Sequence, residues 1–206
     1  MLFRSVTDVA SVKGSLVDTA VRIAGAMPAN FVPGHPIAGS EQSGVEAALA
    51  DLFKDHRVIL TPTAETSPRA LAVVDALWAS TGAEVLHMDV AEHDAVLAAT
   101  SHLPHVLAYA LVDALAGSSQ GEQIFRFAAG GFRDFTRIAS SDPVMWRDIT
   151  LANKDQLLLA LDSFSEHLAT LRAAIDSSDS DSLYGIFTRA KASRDRFAEE
   201  LAARGS

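Results

Sequence analysis

The sequence predicts an α/β domain over residues 1–89 followed by an all-α domain over residues 90–206. In the first region, short β-type runs alternate with amphipathic segments between glycines and prolines, a pattern typical of βα units around a largely parallel sheet. From Asp89 onward, apolar residues recur with the 3.6-residue period of helices. This change of period places the domain boundary.

Four strands and three helices are expected in the first region. The strands are predicted over residues 2–9, 31–32, 57–61 and 84–88, and Pro33 and Pro62 end the second and third. The helices are predicted over 14–26, 45–53 and 67–78, the last beginning at a Ser67 cap followed by Pro68. Gly34 to Gly39 is expected to be a tight loop.

Long helices are expected in the second region. One spans residues 90–115 and should be kinked by Pro104, which cannot donate to the Thr100 carbonyl. Asp142 caps another, and apolar residues from Leu157 to Ile175 predict a helix that packs on a helix. After a Ser/Asp turn over 177–182, a helix over 183–201 completes a predicted helical hairpin.

Composition excludes several classes of protein. The absence of cysteine excludes disulfides and thiolate catalysis and suits a reducing cytoplasm. A net charge of −9 without a basic cluster argues against nucleic-acid binding. The apolar stretches are broken by His, Asp or Pro, so no membrane span is expected, and residues 1–5 do not form a signal peptide.

Three clusters could carry chemistry. His35 in the Gly34–Gly39 loop could exchange a proton near neutral pH, or it could make a structural hydrogen bond. That loop has P-loop spacing, but Ser40 stands where the lysine should be. His102 and His105 share a helix face and would line a polar pocket; a metal site would need a third ligand that the spacing does not show.

The third cluster follows Gly130-Gly131. Arg133 and Arg137 lie four residues apart in an acidic protein and form the best candidate for an anion site, because guanidinium groups bind carboxylates bidentately. The alternative is a surface ion pair between Asp134 and Arg137. Trp146 is a residue type found more often in a core than against a ligand.

Six ordered motifs together resemble the prephenate/arogenate dehydrogenase family of tyrosine biosynthesis. They are Thr7 to Gly14, Gly34 to Gly39, Val58 to Pro62, Ser101 to His105, Gly130 to Ala139 and Ser141 to Trp146. The resemblance implies a partial Rossmann-like NAD(P)-binding domain plus a helical domain that forms a homodimer. It also implies oxidative decarboxylation of prephenate or arogenate with NAD or NADP as cofactor and no metal.

The same resemblance assigns roles to individual residues. His35 matches the catalytic histidine that takes the proton of the ring hydroxyl, and Ser11 matches a serine near that hydroxyl and the nicotinamide. Pro36 joins Ser11 on the cofactor side. The residues implied on the substrate side are Arg137, which would fix a carboxylate, Arg133, His102, His105, Trp146 and Glu41, which would influence substrate access.

One element of the family pattern is missing. The sequence contains no Gly-x-Gly-x-x-Gly turn, and its first motif belongs to the late part of the family's cofactor domain, so roughly the first hundred residues of that pattern are expected to be absent. Weak or no dinucleotide binding by this chain alone is predicted. The alternatives are a non-catalytic helical dimerisation module, a remnant that binds an aromatic acid, or a hydroxyacid dehydrogenase, which would not explain the Gly-His-Pro and Ser-His-Leu-Pro-His motifs.

Overall fold

The computed structural model describes residues 5–39 and 44–204 and places an α/β region before a series of helices, as predicted. The strands are β1 Val6–Thr7, β2 Phe31–Val32, β3 Gly34–Ile37, β4 Arg57–Leu60 and β5 Glu84–His87. The helices are α1 Gly14–Ala24, α2 Pro68–Ala79, α3 Val90–Leu97, α4 Leu103–Ala116, α5 Gly121–Arg126, α6 Gly130–Thr136, α7 Pro143–Ala152, α8 Lys154–Asp176 and α9 Ser180–Arg204. Two compact units divide after Leu157.

The strands form two small sheets rather than one largely parallel sheet. Strands β1 and β2 pair in parallel, and β3-β4-β5 form a second sheet in which β4 and β5 are parallel but β3 and β4 are antiparallel. The predicted loop at Gly34–Gly39 is therefore wrong for β3, in which His35 lies opposite Ile59. Strand β3 is an edge strand, where Pro36, which has no N–H, is tolerated.

Helix α2 packs on the strands and forms the core of the first unit. Its predicted cap is present, since the Ser67 hydroxyl accepts from the Ala70 N–H at 3.4 Å. The buried core residues are Val32, Val58, Leu60, Ala70, Val74 and Trp78. The helix predicted over 45–53 is wrong: only a 3₁₀ turn, Val45–Ala47, forms, because Val45 and Leu49 are exposed and only Phe53 reaches the core. Of the first predicted strand, residues 2–4 lie outside the described residues, and within residues 5–9 only Val6–Thr7 form a strand, β1.

The long helix is irregular next to Pro104, where a kink was predicted. A π-helical segment, Ala98–His102, joins α3 to α4, and this wide turn accommodates the missing proline N–H. Contrary to the sequence expectation, Val90–Ala116 is long and apolar enough to cross a membrane by length and mean hydropathy, 1.4, alone. Its buried residues nevertheless include the polar His93, Asp94 and His102, which form hydrogen bonds within the first unit.

The second unit contains most of α8 and all of α9. The turn between them includes Ser178 at φ 54, and the Asp179 carboxylate accepts from the Ser182 N–H at 2.9 Å at the start of α9. Phe164, Leu168 and Ile175, which were predicted to form a buried seam, are exposed. The predicted helix, turn and returning helix are therefore present as α8 and α9, but only part of the predicted apolar seam is covered in the single chain.

Candidate functional site

Lys13 joins the end of β1 to the start of β3. Its side chain is fully buried, and Nζ donates to Asp8 Oδ1 at 2.5 Å and to the Gly34 carbonyl at 2.6 Å. The other Asp8 oxygen accepts from the Gly34 N–H at 3.1 Å. Burial lowers the pKa of Lys13, and the Asp8 carboxylate opposes that change. This ion pair therefore fixes the strand that carries His35.

The Asp94 carboxylate binds the N-terminus of α1. Oδ1 accepts from the Lys13 N–H at 2.9 Å, and Oδ2 accepts from the Gly14 N–H at 2.7 Å. A Cβ at Gly14 would lie 2.9 Å from Oδ2, so the close approach requires glycine. Burial alone would raise the pKa of Asp94, but its hydrogen bonds from His93, Lys13 and Gly14 outweigh burial and lower it.

A hydrogen-bonded chain runs from Asp94 through His93 to His35. His93 Nδ1 lies 2.8 Å from Asp94 Oδ1, and His93 Nε2 lies 2.9 Å from His35 Nδ1. A carboxylate only accepts, so His93 Nδ1 carries a proton and its Nε2 accepts when the ring is neutral. His35 Nδ1 must then donate, which leaves His35 Nε2 as an unprotonated acceptor.

The sequence position of His35 suggested a pKa near neutral, but the pKa of His35 in the folded chain lies far below that. Burial, followed by the charges of His93, Lys13 and His102, lowers its pKa to about 3. His35 is therefore a neutral proton acceptor throughout the physiological range.

A second cluster lies on α4 and α7. The His105 ring stacks on Trp146 with centroids 3.5 Å apart, and His102 meets the same indole edge-on at 6.1 Å. The Trp146 Nε1 atom is buried and has no hydrogen-bond partner among the described residues. The structure thus brings His102 and His105 into contact with Trp146, and the resemblance implies all three on the substrate side. No group of three metal-ligating side chains occurs in residues 5–39 and 44–204.

The two clusters are joined by Asn153, between α7 and α8. Its Nδ2 donates to the Asp94 carbonyl at 2.8 Å and lies 3.1 Å from His102 Nδ1. Burial lowers the pKa of His102 to about 4, although the Asp94 charge favours protonation. His35 and His102 therefore belong to one buried network.

The remaining predicted residues lie around this network. Ser11 is half-buried in the loop before α1, and Pro36 is buried on β3. Arg133 is exposed and pairs with the adjacent Asp134 at 3.0 Å, and Arg137 is exposed at the start of a 3₁₀ turn, Arg137–Ser140. Glu41 lies outside the described residues.

Sequence reasoning missed Lys13, His93, Asp94 and Asn153. Lys13 belongs to the Thr7–Gly14 motif, and His93-Asp94 follow the carboxyl end of β5, where open α/β sheets place ligand-binding groups. These two features of the sequence could have identified Lys13, His93 and Asp94 as candidate site residues. No such feature points to Asn153, because its role depends on contacts with Asp94 and His102, which are distant in the sequence.

Acidification is expected to destabilise the fold through the buried histidines. The folded pKa values of His35 and His102, about 3 and about 4, lie below the ordinary value of 6.5, so the unfolded chain binds more protons under mildly acidic conditions. The contribution of these histidines to the free energy of unfolding should be complete above pH 6.5. As the pH falls below 6.5, the free energy of unfolding should decrease by up to about 1.4 kcal/mol per pH unit for each histidine.

Urea unfolding between pH 7 and roughly pH 4 measures this dependence. His35→Asn and His102→Asn should each flatten it, whereas His56→Asn, at an exposed position, should leave it unchanged. A free energy of unfolding that stays constant over this range in the unsubstituted chain would contradict the prediction.

Comparison with known proteins relates this architecture to one family. The family models described as the prephenate dehydrogenase nucleotide-binding domain and dimerization domain match residues 4–87 and 89–189, respectively. A cyclohexadienyl dehydrogenase from Zymomonas mobilis is 43% identical over 92% of this chain. The predicted site residues, from Ser11 to Trp146, all lie within the matched regions.

Solved structures agree with these matches. A prephenate dehydrogenase from A. aeolicus, in complex with hydroxyphenyl propionate and NAD⁺, has a TM-score of 0.87 and 43% identity and covers 94% of this chain and 67% of its own. A Synechocystis arogenate dehydrogenase has a TM-score of 0.81 and 30% identity and covers 94% of this chain and 69% of its own. This chain spans 64% of the length of the Zymomonas mobilis relative.

Proposed function

Because the chain belongs to the prephenate dehydrogenase family, we propose that it acts in the NAD(P)-dependent oxidative decarboxylation of prephenate or arogenate. The observation that carries this proposal is the buried chain from Asp94 through His93 to His35. It presents an unprotonated Nε2 on a histidine fixed by a strand and by a neighbouring ring. Such a group is suited to accept the proton of a substrate hydroxyl.

The residues present fit the reactive end of a nicotinamide cofactor. The hydroxyl oxygens of Thr7 and Thr61, at the carboxyl ends of β1 and β4, are buried and have no partner among the described residues. Such strand ends are where open α/β sheets bind ligands. These hydroxyls concern only the nicotinamide end of the cofactor, since no Gly-x-Gly-x-x-Gly turn for the pyrophosphate occurs in the 206 residues.

The protein side of the reaction is proton transfer and orientation. His35 Nε2 accepts the hydroxyl proton as the ring carbon loses its hydride, and the Asp94 charge stabilises the positive charge through His93. A bound nicotinamide would supply the hydride acceptor, and loss of carbon dioxide would make the ring aromatic. Arg137 is the residue assigned to bind a substrate carboxylate, and the stacked rings of His105 and Trp146 offer a flat face to an aromatic or cyclohexadienyl ring.

A homodimer is part of the same proposal. The matched dimerization domain covers residues 89–189, and apolar side chains on α8 and α9 are exposed in the single chain. They include Phe164, Leu168, Ile175, Phe187 and Phe197. Several large apolar side chains exposed on the same two helices are a feature of protein–protein interfaces. Light scattering that shows only monomer at micromolar concentration would contradict a homodimer.

A second candidate, which the stacked rings of His105 and Trp146 favour, is a module that binds an aromatic acid without turnover. The two candidates differ in what His35→Asn changes. If the chain is catalytic, this substitution should lower kcat by about 10²–10⁴-fold, the contribution of general base catalysis, with a small change in KM. His56→Asn, on the surface, is the matched control.

The assay is formation of reduced nicotinamide from prephenate or arogenate at high NAD⁺ or NADP⁺ concentration. Separate titrations with hydroxyphenyl propionate and with NAD⁺ measure binding to each side of the site. Equal turnover in the His35→Asn and unsubstituted chains would exclude the catalytic assignment. Binding of the aromatic acid without any turnover would favour the second candidate, and micromolar NAD⁺ affinity would contradict the predicted weak binding.

A further inference from the structure

Asn153 is a buried amide that contacts two groups of the site at once. It lies between α7 and α8 and is only 4% exposed. Its Nδ2 atom donates to the backbone carbonyl of Asp94 at 2.8 Å and lies 3.1 Å from His102 Nδ1. An amide NH₂ has two hydrogens, so both contacts can be made together.

The orientation of this amide determines the protonation of the neighbouring ring. The Asp94 carbonyl only accepts, so the NH₂ group rather than the amide oxygen must face it. The second N–H of the same group then points at His102 Nδ1, which must accept. A neutral imidazole that accepts at Nδ1 carries its proton at Nε2.

We propose that Asn153 is a positioning residue that fixes His102 in the form that donates through Nε2–H. His35 is fixed in the opposite form, with Nε2 as acceptor. One buried network therefore contains one histidine that accepts and one that donates through the same ring atom. Resting on the proposed function, this pairing suits a ligand that has both a hydroxyl donor and an anionic or carbonyl oxygen.

The surroundings of His102 agree with a neutral donor. Burial and the charges of His93 and His105 oppose protonation, and the Asp94 charge favours it. The net result keeps the pKa of His102 near 4. On α7, Trp146 contributes an uncharged ring. A protonated His102 would also set its Nδ1–H against the Asn153 N–H, so two donors would face each other.

The direct test is ¹⁵N NMR of the histidine rings in the unsubstituted 206-residue chain at neutral pH. The signals of His102 are identified by their loss in His102→Asn. We expect a protonated Nε2 and an unprotonated Nδ1. A protonated Nδ1 would overturn the proposal. The measurement needs no turnover, so it is independent of whether the proposed reaction occurs.

Asn153→Asp gives the second test, because it keeps the shape of the side chain and replaces the donor by an acceptor. His102 Nδ1 should then become protonated, and the carboxylate should raise the pKa of His102 by about 1–3. Asn30→Asp makes the same chemical change in the loop before β2 and should leave the His102 signals unchanged. Unchanged His102 signals in a folded Asn153→Asp chain would also overturn the proposal, and if that variant does not fold, the unsubstituted chain decides.

Discussion

Replacing Asp94 by asparagine should lower turnover by about 10²–10⁴-fold, as large an effect as removing the base itself. Asp94 accepts three hydrogen bonds, from the Lys13 N–H, the Gly14 N–H and His93 Nδ1. An asparagine has one oxygen where the carboxylate has two. Whichever way the amide is turned, its NH₂ group meets a donor.

The two orientations are costly in different ways, and both remove the charge that would stabilise a protonated His35 through His93. If the NH₂ group takes the place of Oδ1, His93 Nδ1 must accept, His93 Nε2 then donates, and His35 becomes protonated at the Nε2 that should accept the substrate proton. If it takes the place of Oδ2, it faces the Gly14 N–H and leaves that donor unsatisfied. An unsatisfied buried donor costs about 1–3 kcal/mol.

Glu92→Gln is the matched control for this substitution. Glu92 is an exposed carboxylate on the same helix, so the change removes the same charge without touching the network. Both variants are compared in kcat, in its pH dependence and in urea unfolding. A purely structural role for Asp94 would lower stability and leave the kcat and pH profile of the folded fraction unchanged. That outcome would contradict the function assigned to the His93–Asp94 pair.

The dependence of His35 on neighbours explains why its surroundings could not be predicted from the sequence. The α/β character, the capped start of α2 and the irregular helix near Pro104 follow from local signals and are confirmed. The strand β3 was missed because its pairing with β4 is a tertiary property, and proline argues locally against a strand. The helix expected over 45–53 failed for the converse reason, since its apolar residues have no surface to bury against.

In the candidate site, too, some contacts follow from local sequence patterns and others depend on the tertiary fold. His102, His105 and Trp146 could be predicted to meet because two share a helix face and the third lies in a recognisable motif. The link from His35 to His93 joins residues 58 positions apart, and that from Asn153 to His102 joins residues 51 positions apart. Neither contact can be predicted from the spacing of neighbouring residues in the sequence. Burial, which lowers the pKa of His35, is likewise a property of the folded chain alone.

Lys13→Met should produce the largest loss of stability, about 3–5 kcal/mol, because it removes one member of a buried ion pair. The Asp8 carboxylate would lose its cation, and the Gly34 carbonyl would lose a hydrogen bond at the start of β3. A domain is typically stable by about 5–15 kcal/mol, so this change removes a large share. Urea unfolding of the variant measures it directly.

Two further variants separate burial from charge. Arg57→Met breaks an exposed cross-strand pair with Glu84 in the same unit, and it should cost no more than about 1 kcal/mol. Combining Asp8→Leu with Lys13→Met removes both charges of the pair and should recover the part of the loss that comes from leaving one charge unpaired, although the Gly34 N–H then lacks its acceptor. Equal losses in Lys13→Met and Arg57→Met would mean that Lys13 acts as a surface ion pair does. His35 would then owe its position to the β3–β4 pairing rather than to this buried contact.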